Sequence, residues 1–476
     1  MVFLIAIWSV VVLCWLSLAI FKWKMVQLRI PMVLWGLAIV ISGSVIGHDF
    51  FHIPAPIPIT SDRALLGLLV ATFAFLLLRQ KIKLRPLVAT DYLSVALLTV
   101  LFGSAVLSDW NYENNRPISR FLFFYAIPFS LYFVIKNTKI SDRELKVAAL
   151  GFCGFCVYLA LTAVAESRGL YGLVFPSYIR NPELQEFLGR GRGPFLNPVS
   201  NGIFLTAGLA TAVLLWRLDR DWRTKIVYAA IIPVLIVGNI CTLTRSVWVG
   251  MAVGVGLVTW MITDRRQKAV LLIGGTVSGL LLVTVLGSSL ISFKRDKHVT
   301  TNEMSQSAQL RPIFATIAWD MFLDRPFFGC GFGQYAKHRN NYLQNPHSDL
   351  QLAKGAVYLQ HNVVLSLLTE VGLIGCGLFL ILILKAYQEA AILLRTKKAT
   401  PWAKAYAMIL VATLTRYTIN GMFHDVSIIP MANTLLFFLM AIVISARAML
   451  APQVASPRIS TERQPLHRKN SAMATG

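Results

Sequence analysis

Charged residues are scarce in this sequence: Asp, Glu, Lys and Arg make up only 14% of its 476 residues. Soluble globular domains carry about a quarter of such residues, so the composition excludes a soluble protein of this length. Hydrophobic residues make up 56% instead, and runs such as 65–78 and 269–293 approach or exceed the roughly 20 residues that cross a bilayer core. The sequence therefore predicts an all-α integral membrane protein with many transmembrane helices.

Cysteine is also rare, with six residues, most of them within apolar runs. Cys153 and Cys156 form a C-x-x-C pair inside such a run. We expect these thiols to pack and not to react, because redox and metal sites need accessible thiolates. A disulfide framework is therefore not predicted.

Motifs for several enzyme classes are missing. The sequence has neither a Walker A motif nor H-E-x-x-H, so it indicates neither ATP hydrolysis nor zinc proteolysis. Asp219 and Asp221 form a D-x-D, a pattern that binds a divalent metal in nucleotide-sugar transferases. They lie in a basic loop, and we interpret them as loop charges. No cofactor or metal site is expected.

Acidic residues are about half as frequent as basic ones, 22 against 45, which gives a net charge of +23. Most Lys and Arg lie in short loops between apolar runs, for example at 79–85 and 393–404. These loops share one face if the helices alternate, and such a bias marks the cytoplasmic side of a membrane protein. The charge therefore indicates topology in the plasma (inner) membrane and contact with membrane lipids, and not a nucleic-acid partner.

Hydropathy predicts one polytopic membrane domain, residues 1–450, with about 12–13 transmembrane helices. The predicted spans lie near residues 1–21, 31–47, 58–78, 87–107, 119–135, 144–165, 199–216, 225–243, 246–263, 269–292, 362–384, 403–421 and 427–448. A large external loop, residues 293–361, precedes the span near 362–384. Residues 451–476 are basic and rich in Ser and Pro, and predict a disordered cytoplasmic tail.

The middle of the external loop has the pattern of an amphipathic helix. Its apolar residues recur at helical spacing, and they are Ile313, Phe314, Ile317, Met321 and Phe322. This pattern predicts a helix that lies at the membrane surface and ends at Arg325. A helix that only plugs the helical bundle is the alternative.

Several basic residues fall on the predicted external face. Arg190 and Arg192 precede a span, Arg245 occupies a short external turn, and His361 opens a span. External arginine opposes the topological bias, and its planar guanidinium suits phosphate oxygens. The alternative is contact with lipid headgroups. The long loop adds Arg311, Lys337, His338 and Arg339.

His361 and Glu370 are ionisable residues at the start and inside one apolar run. The positive end of the helix dipole and nearby arginines disfavour the imidazolium form of His361, and a neutral imidazole can accept a proton from a hydroxyl. A structural histidine is the alternative. Glu370 lies about 13 Å further along the helix axis, so we expect it to meet a polar group of another helix.

Four stretches of the sequence occur in the same order as the motifs of a known family. They are "RGPFLNPVSNGIFL", "LTRSVWVG", "DRPFFGCGFGQY" and "QHNVVLSLLTEVGLIG". Over residues 185–385 the chain resembles the O-antigen ligase and O-antigen polymerase superfamily of lipid-linked glycan ligases and polymerases. The closing H-N-x-x-L-x-x-x-x-E-x-G-x-x-G is the most specific of these motifs. The odd span count departs from the family's ligases, whose termini both lie inside.

The resemblance implies a metal-independent, inverting glycosyltransferase with a GT-C-like membrane fold. Such an enzyme moves a glycan from a polyprenyl (undecaprenyl) pyrophosphate donor to an acceptor hydroxyl on the periplasmic or external face, in lipopolysaccharide or exopolysaccharide biosynthesis. The acceptor is the lipid A core, a growing glycan or a protein side chain.

The resemblance also implies roles for particular residues. Arg192 (or its neighbour Arg190) and Arg245 would hold the pyrophosphate, and His361 would activate the acceptor hydroxyl. Further substrate-binding candidates are Arg190, Arg311, His338, Arg339 and Asn362.

A secondary transporter of an anion or a lipid-linked glycan is the alternative function, with the same arginines as its binding site. Transporters often contain inverted repeats, and the sequence shows no convincing repeat between its halves. The candidate groups also lie at one surface, which favours chemistry there. Ligase and polymerase activities both remain open.

Overall fold

A computed structural model of the protein describes most of the predicted membrane domain. It covers residues 31–47, 50, 52–53, 58–110, 112, 116–181, 183–184, 186–268, 301–344, 350–356 and 361–450, with backbone only for 301–309. The predicted spans near 1–21 and 269–292 and the predicted tail lie outside these residues.

The described residues form twelve main helices. They are α1 (Met32–Val45), α2 (Ser61–Leu78), α3 (Ala89–Leu107), α4 (Pro117–Lys136), α5 (Asp142–Arg168), α6 (Pro198–Leu218), α7 (Trp222–Cys241), α8 (Arg245–Ile262), α9 (Thr301–Asp324), α10 (Val363–Arg395), α11 (Pro401–Gly421) and α12 (Pro430–Leu450). Among the described helices, nine are long and apolar enough to cross a membrane: α2 to α8, α10 and α12. The prediction of a multi-pass, all-α membrane protein is confirmed.

Each predicted span within the described residues coincides with one helix. The shortest is α1, with 14 residues. α11 is long enough to span but is not among the nine. The one isolated β-bridge of the described chain joins Ile53 and Ile59.

Short polar side chains fix where several helices begin. Asn197 accepts hydrogen bonds from the first backbone amides of α6, and Pro198 occupies the first helical position. Asn362 caps α10 in the same way, while Ser141 and Glu144 form a capping box at α5. These contacts satisfy amides that have no partner inside the helix, so the helix that follows His361 has a defined start.

α6 is the central helix of the bundle. Most of its residues are buried, and it packs against α5, α7, α8 and α11. Gly208 allows close approach to α5, since a Cβ there would lie 2.3 Å from the Cβ of Cys156. Cys153 and Cys156 are buried free thiols, which confirms the packing interpretation of the C-x-x-C pair.

Contacts between loops place several basic segments at the same end of the bundle. The Arg85 guanidinium donates hydrogen bonds to the carbonyl oxygens of Thr138 and Ser445, and Thr400 Oγ1 bonds to Asp142. These contacts join the loops after α2, α4 and α10 to the end of α12. This is the end that the sequence analysis predicts to face the cytoplasm.

The D-x-D segment lies in the loop between α6 and α7. Asp219 pairs with Lys146 at 3.5 Å, and Asp221 accepts hydrogen bonds from the first amides of α7. In the described chain, no group of three or more His, Cys, Asp or Glu side chains could hold a metal ion. These contacts agree with the interpretation of both aspartates as loop charges.

Candidate functional site

The predicted amphipathic helix is present as α9. Its apolar residues Ile313, Phe314, Ile317 and Met321 are buried in one cluster with Cys330, Tyr335 and Leu352. The apolar face of α9 therefore packs against the segment that follows it, and α9 also contacts α10. Trp319 and Leu323 remain exposed on the helix.

The glycine-rich turn after α9 pairs with an irregular stretch of α10. At Gly372 the helix takes φ 65° and ψ −166°, which interrupts its hydrogen-bond ladder. The amides of Cys330 and Gly331 donate to the carbonyls of Thr369 and Glu370 at 2.8 and 3.0 Å, and the amide of Leu373 donates to Pro326 at 2.8 Å. The turn thus satisfies backbone groups that the break would leave without partners.

Two glycines of the family-like motifs permit this pairing. A Cβ at Gly329 would lie 2.5 Å from the carbonyl carbon of Glu370, and a Cβ at Gly372 would lie 2.3 Å from the carbonyl carbon of Phe327. Both glycines also have positive φ, a conformation that side chains disfavour. The P-x-x-G-x-G turn and the E-x-G motif are therefore two halves of one structural joint.

Glu370 pairs with an arginine of another helix, as predicted. Its Oε1 accepts a hydrogen bond from Arg120 Nη1 on α4 at 3.2 Å, and the two side chains are 3% and 11% exposed. The Arg120 guanidinium also lies 5.0 Å from the ring centre of Phe332. Glu370 thus holds the glycine-rich turn and α10 against α4.

His361 lies at the exposed start of α10, one residue before the cap Asn362. Its ring centre is 5.4 Å from that of Phe314 on α9. Burial by these neighbours, followed by the positive charge of Arg311, lowers the pKa of His361 below its ordinary value. The imidazole is therefore held toward its neutral form, the form that the sequence analysis expects.

Arg311 interacts electrostatically with both Arg245 and His361. Arg245 is the first residue of α8 and is half-buried, whereas Arg311 lies on α9. Partial burial and then the positive charge of Arg245 lower the pKa of the Arg311 guanidinium. The two guanidinium groups and the imidazole thus form one basic cluster, defined here as Arg245, Arg311 and His361.

Arg192 has a different environment. Its side chain is fully buried. Its Nε pairs with Glu166 at 3.4 Å, its Nη1 donates to the carbonyl of Glu186 at 2.8 Å, and its other bonds go to the carbonyls of Leu184 and Ile179. Within the described chain, these hydrogen bonds go to Glu166 at the end of α5 and to the segment between α5 and α6, and they reach none of the basic cluster.

Arg190 is buried as well, and its guanidinium lies 5.0 Å from the ring centre of Phe187. The backbone between the two arginines does approach the Arg245 turn, because the Gly191 amide donates to the Cys241 carbonyl at 2.8 Å. The GRGR segment therefore neighbours the basic cluster through its backbone.

His338 and Arg339 belong to a second basic group, defined here as Arg325, Lys337, His338 and Arg339, which follows α9 in the chain. Burial, and then the charges of Arg325 and Lys337, lower the pKa of His338. Lys337 pairs with Asp109 at 2.8 Å, which ties this group to the end of α3.

The loop between α11 and α12 also forms part of the site, and the sequence analysis did not identify it. The Met422 carbonyl accepts a hydrogen bond from Asn362 Nδ2 at 3.1 Å, and the Phe423 ring lies 5.5 Å from the Arg311 guanidinium. The His424 ring centre is 6.4 Å from that of His361. A polar His-Asp pair in a turn between two predicted spans was the available signal.

Comparison with known families supports the resemblance. Residues 234–380 match the family model described as O-antigen ligase, a range that contains Arg245, Arg311 and His361. No curated protein sequence matches the chain. The family match supports glycan transfer of the O-antigen ligase or polymerase type by a membrane enzyme that acts on a lipid-linked glycan and an acceptor. The match over this region supports the O-antigen ligase and polymerase superfamily that the sequence motifs resemble.

Proposed function

We propose that the protein is an inverting, metal-independent glycosyltransferase of the plasma membrane with a GT-C-like architecture. It moves a glycan from a polyprenyl pyrophosphate donor to an acceptor hydroxyl, at the end of the bundle opposite the basic loops. The observation that carries this proposal is the basic cluster, in which Arg311 interacts with both Arg245 and His361 and helps to hold the pKa of the imidazole below its ordinary value. The basic loops at the opposite end of the bundle support a site on the periplasmic, external face, because such loops favour the cytoplasmic side.

In this proposal Arg245 and Arg311 bind the donor pyrophosphate. Two cations that repel each other are stabilised by an anion between them, and guanidinium groups match phosphate oxygens in a bidentate geometry. The same charges stabilise the pyrophosphate as it leaves. The two arginines therefore take the place of a metal or a general acid. Arg311 takes the role that the resemblance gave to Arg192, because the Arg192 donors are already bound to the protein.

His361 acts as the general base. A neutral imidazole accepts the proton of the acceptor hydroxyl while its oxygen bonds to the anomeric carbon. The bond from that carbon to the phosphate oxygen breaks, and the pyrophosphate leaves with the electron pair. Attack opposite the leaving group inverts the anomeric carbon.

The remaining candidates receive supporting roles. Asn362 uses its amide oxygen to cap α10 and its amide nitrogen to bind the Met422 carbonyl, so we assign it to the placement of His361. His338 and Arg339 belong to the second basic group, which we assign to anionic parts of the glycan substrates. Arg190 and Arg192 hold the segment between α5 and α6.

Transfer by purified protein in lipid nanodiscs tests the proposal. The native chain should join the glycan of a polyprenyl-pyrophosphate donor to an added lipid A core or to a second lipid-linked glycan, with or without EDTA. R245A, R311A and H361A should each lower transfer by at least about 100-fold, the low end of what one general base or charge-stabilising donor contributes.

R265A and H52A are matched controls. Arg265 is exposed after α8 at the opposite end, and His52 is an exposed histidine outside the basic cluster. Movement of the lipid-linked glycan across the membrane without covalent transfer would instead identify a transporter. Full transfer by all three cluster variants would refute the assigned roles.

The glycan phenotype of a deletion strain identifies the acceptor class. Accumulated long chains that are not joined to lipid A indicate a ligase, and single repeat units indicate a polymerase.

A further inference from the structure

The turn between α11 and α12 contacts the site through four consecutive residues. The first three are Met422, Phe423 and His424, which meet Asn362, Arg311 and His361 in turn. The fourth, Asp425, accepts a hydrogen bond from Ser366 Oγ on α10 at 2.6 Å. This turn lies outside residues 234–380, so its contribution to the site is not part of the family match.

The turn holds His424 in a fixed position relative to His361. Asp425 binds Ser366 on the first turns of α10, the same helix that begins just after His361. Asp425 also accepts hydrogen bonds from the backbone and side chain of Ser427. His361 is therefore anchored to the start of α10 through the backbone, and His424 is anchored there through the carboxylate of Asp425.

The two imidazole rings are edge-to-face neighbours, close enough to bind one sugar together. Their centres are 6.4 Å apart and their planes are inclined at 81°. A hydrogen bond from a ring nitrogen spans about 2.7–3.2 Å, so a hydroxyl oxygen can bind each ring from between them. Adjacent hydroxyl groups of one sugar are spaced closely enough to reach both.

We propose that His424 is an acceptor-binding residue of this enzyme. His361 takes the proton of the attacking hydroxyl, and His424 forms a hydrogen bond to the neighbouring hydroxyl of the same sugar. The inference rests on the proposed glycan transfer and adds the acceptor class: a sugar whose attacking hydroxyl has a free hydroxyl beside it. The turn between α11 and α12 then selects the acceptor, while α8 and α9 bind the donor.

Steady-state kinetics in nanodiscs test this role, with the polyprenyl-pyrophosphate glycan as donor. The acceptor is whichever of lipid A core and second lipid-linked glycan the native chain modifies. H424A should raise the acceptor KM by about 3- to 10-fold, the range for one neutral hydrogen bond, and leave the donor KM within about twofold. H424N or H424Q, which keep an N–H donor, should restore part of the acceptor affinity.

His52→Ala is the matched control, because His52 is an exposed histidine outside the basic cluster and outside this turn. It should leave both KM values unchanged. A structural role for His424 would lower the melting temperature and weaken donor and acceptor binding alike, and that result would overturn the inference, as would a native acceptor KM in H424A. Absence of transfer by the native chain would instead refute the proposed function itself.

Discussion

The basicity of His361 depends on its neighbours, first through burial and then through the charge of Arg311. Burial beside Phe314 and the positive charge of Arg311 both lower the pKa of His361. A general base must be unprotonated to act, so these effects extend its working range toward lower pH. The arginine that binds the donor thus also keeps the base ready for the acceptor.

Removal of the Arg311 charge should move the acidic limb of the pH profile to higher pH. Without that charge the pKa of His361 rises toward its ordinary value, so protonation inactivates the base at a higher pH. We expect this shift in the acceptor kcat/KM of R311Q, measured on its residual activity, and no such shift in R311K, which keeps the charge. An acidic limb at the native position in R311Q would contradict the coupling.

Arg192 and Glu166 allow a structural role to be separated from a catalytic one. R192M should lower the free energy of unfolding by about 3–5 kcal/mol, because it leaves the Glu166 carboxylate buried without its charge partner. The double variant R192M/E166M removes both charges and should recover part of the stability together with transfer activity. Thermal unfolding in detergent measures the first effect, and R168M, at an exposed arginine at the end of α5, is the control.

Transfer by the double variant decides between the two roles. If Arg192 bound the pyrophosphate, R192M/E166M would remain inactive even where its stability recovered. An inactive but stable double variant would therefore return Arg192 to the donor site.

At the scale of elements, the joint between α10 and the glycine-rich turn places His361 relative to Arg311. The turn follows α9, which carries Arg311, and pairs with α10, which follows His361. Arg120 and Glu370 fix the same joint against α4. In the proposed mechanism, the motifs that are most visible in the sequence thus serve mainly to position His361 and Arg311.

Gly372→Ala should loosen this joint. The left-handed backbone alone costs about 1–3 kcal/mol for a residue with a side chain, and the new Cβ would also collide with the Phe327 carbonyl. Gly377→Ala is the control within the same helix, since a Cβ there meets nothing within 4 Å. We expect a lower melting temperature and lower transfer for G372A only, and equal effects of the two changes would contradict the joint.

The helices themselves could be predicted from hydropathy, because a continuous apolar run forces the backbone to bond within itself in a bilayer. The partners of polar residues could not. Arg120 is 250 residues away from Glu370, and nothing local in the sequence distinguishes the pairing of Arg192 with Glu166 from a phosphate contact. The predicted external arginines include Arg245 and Arg311, and only the fold shows that these two interact.

Two further features escaped prediction for physical reasons. Gly372 lies inside an apolar run, and hydropathy averages over the break that its positive φ creates. His424 belongs to a turn far along the chain from His361, and only the packing of α11 against α10 brings it to the site. The same holds for the basic cluster, because only the fold brings Arg311 near Arg245 and His361.

For the whole molecule, the basic loops and the proposed active site lie at opposite ends of the helices. The loop after α10 lies at the end that holds Arg85 and Asp142, whereas His361 begins α10 at the other end. This separation supports our proposal that the basic end is cytoplasmic and the site external, as the positive-inside rule favours. A donor that is bound by the basic cluster must accordingly be presented on the external leaflet.

Cysteine labelling can measure this orientation. Lys354 and Lys398 are exposed at the two ends, so K354C should react with a membrane-impermeant thiol reagent in right-side-out vesicles, and K398C only in inside-out vesicles. The native chain gives the background, because Cys241 is partly exposed whereas Cys153, Cys156, Cys330 and Cys376 are buried. Labelling of K354C only in inside-out vesicles would place His361 in the cytoplasm. The proposed pyrophosphate site would then lie on the same side of the membrane as the basic loops. The positive-inside rule alone would then account for its arginines, which would no longer call for a phosphate ligand.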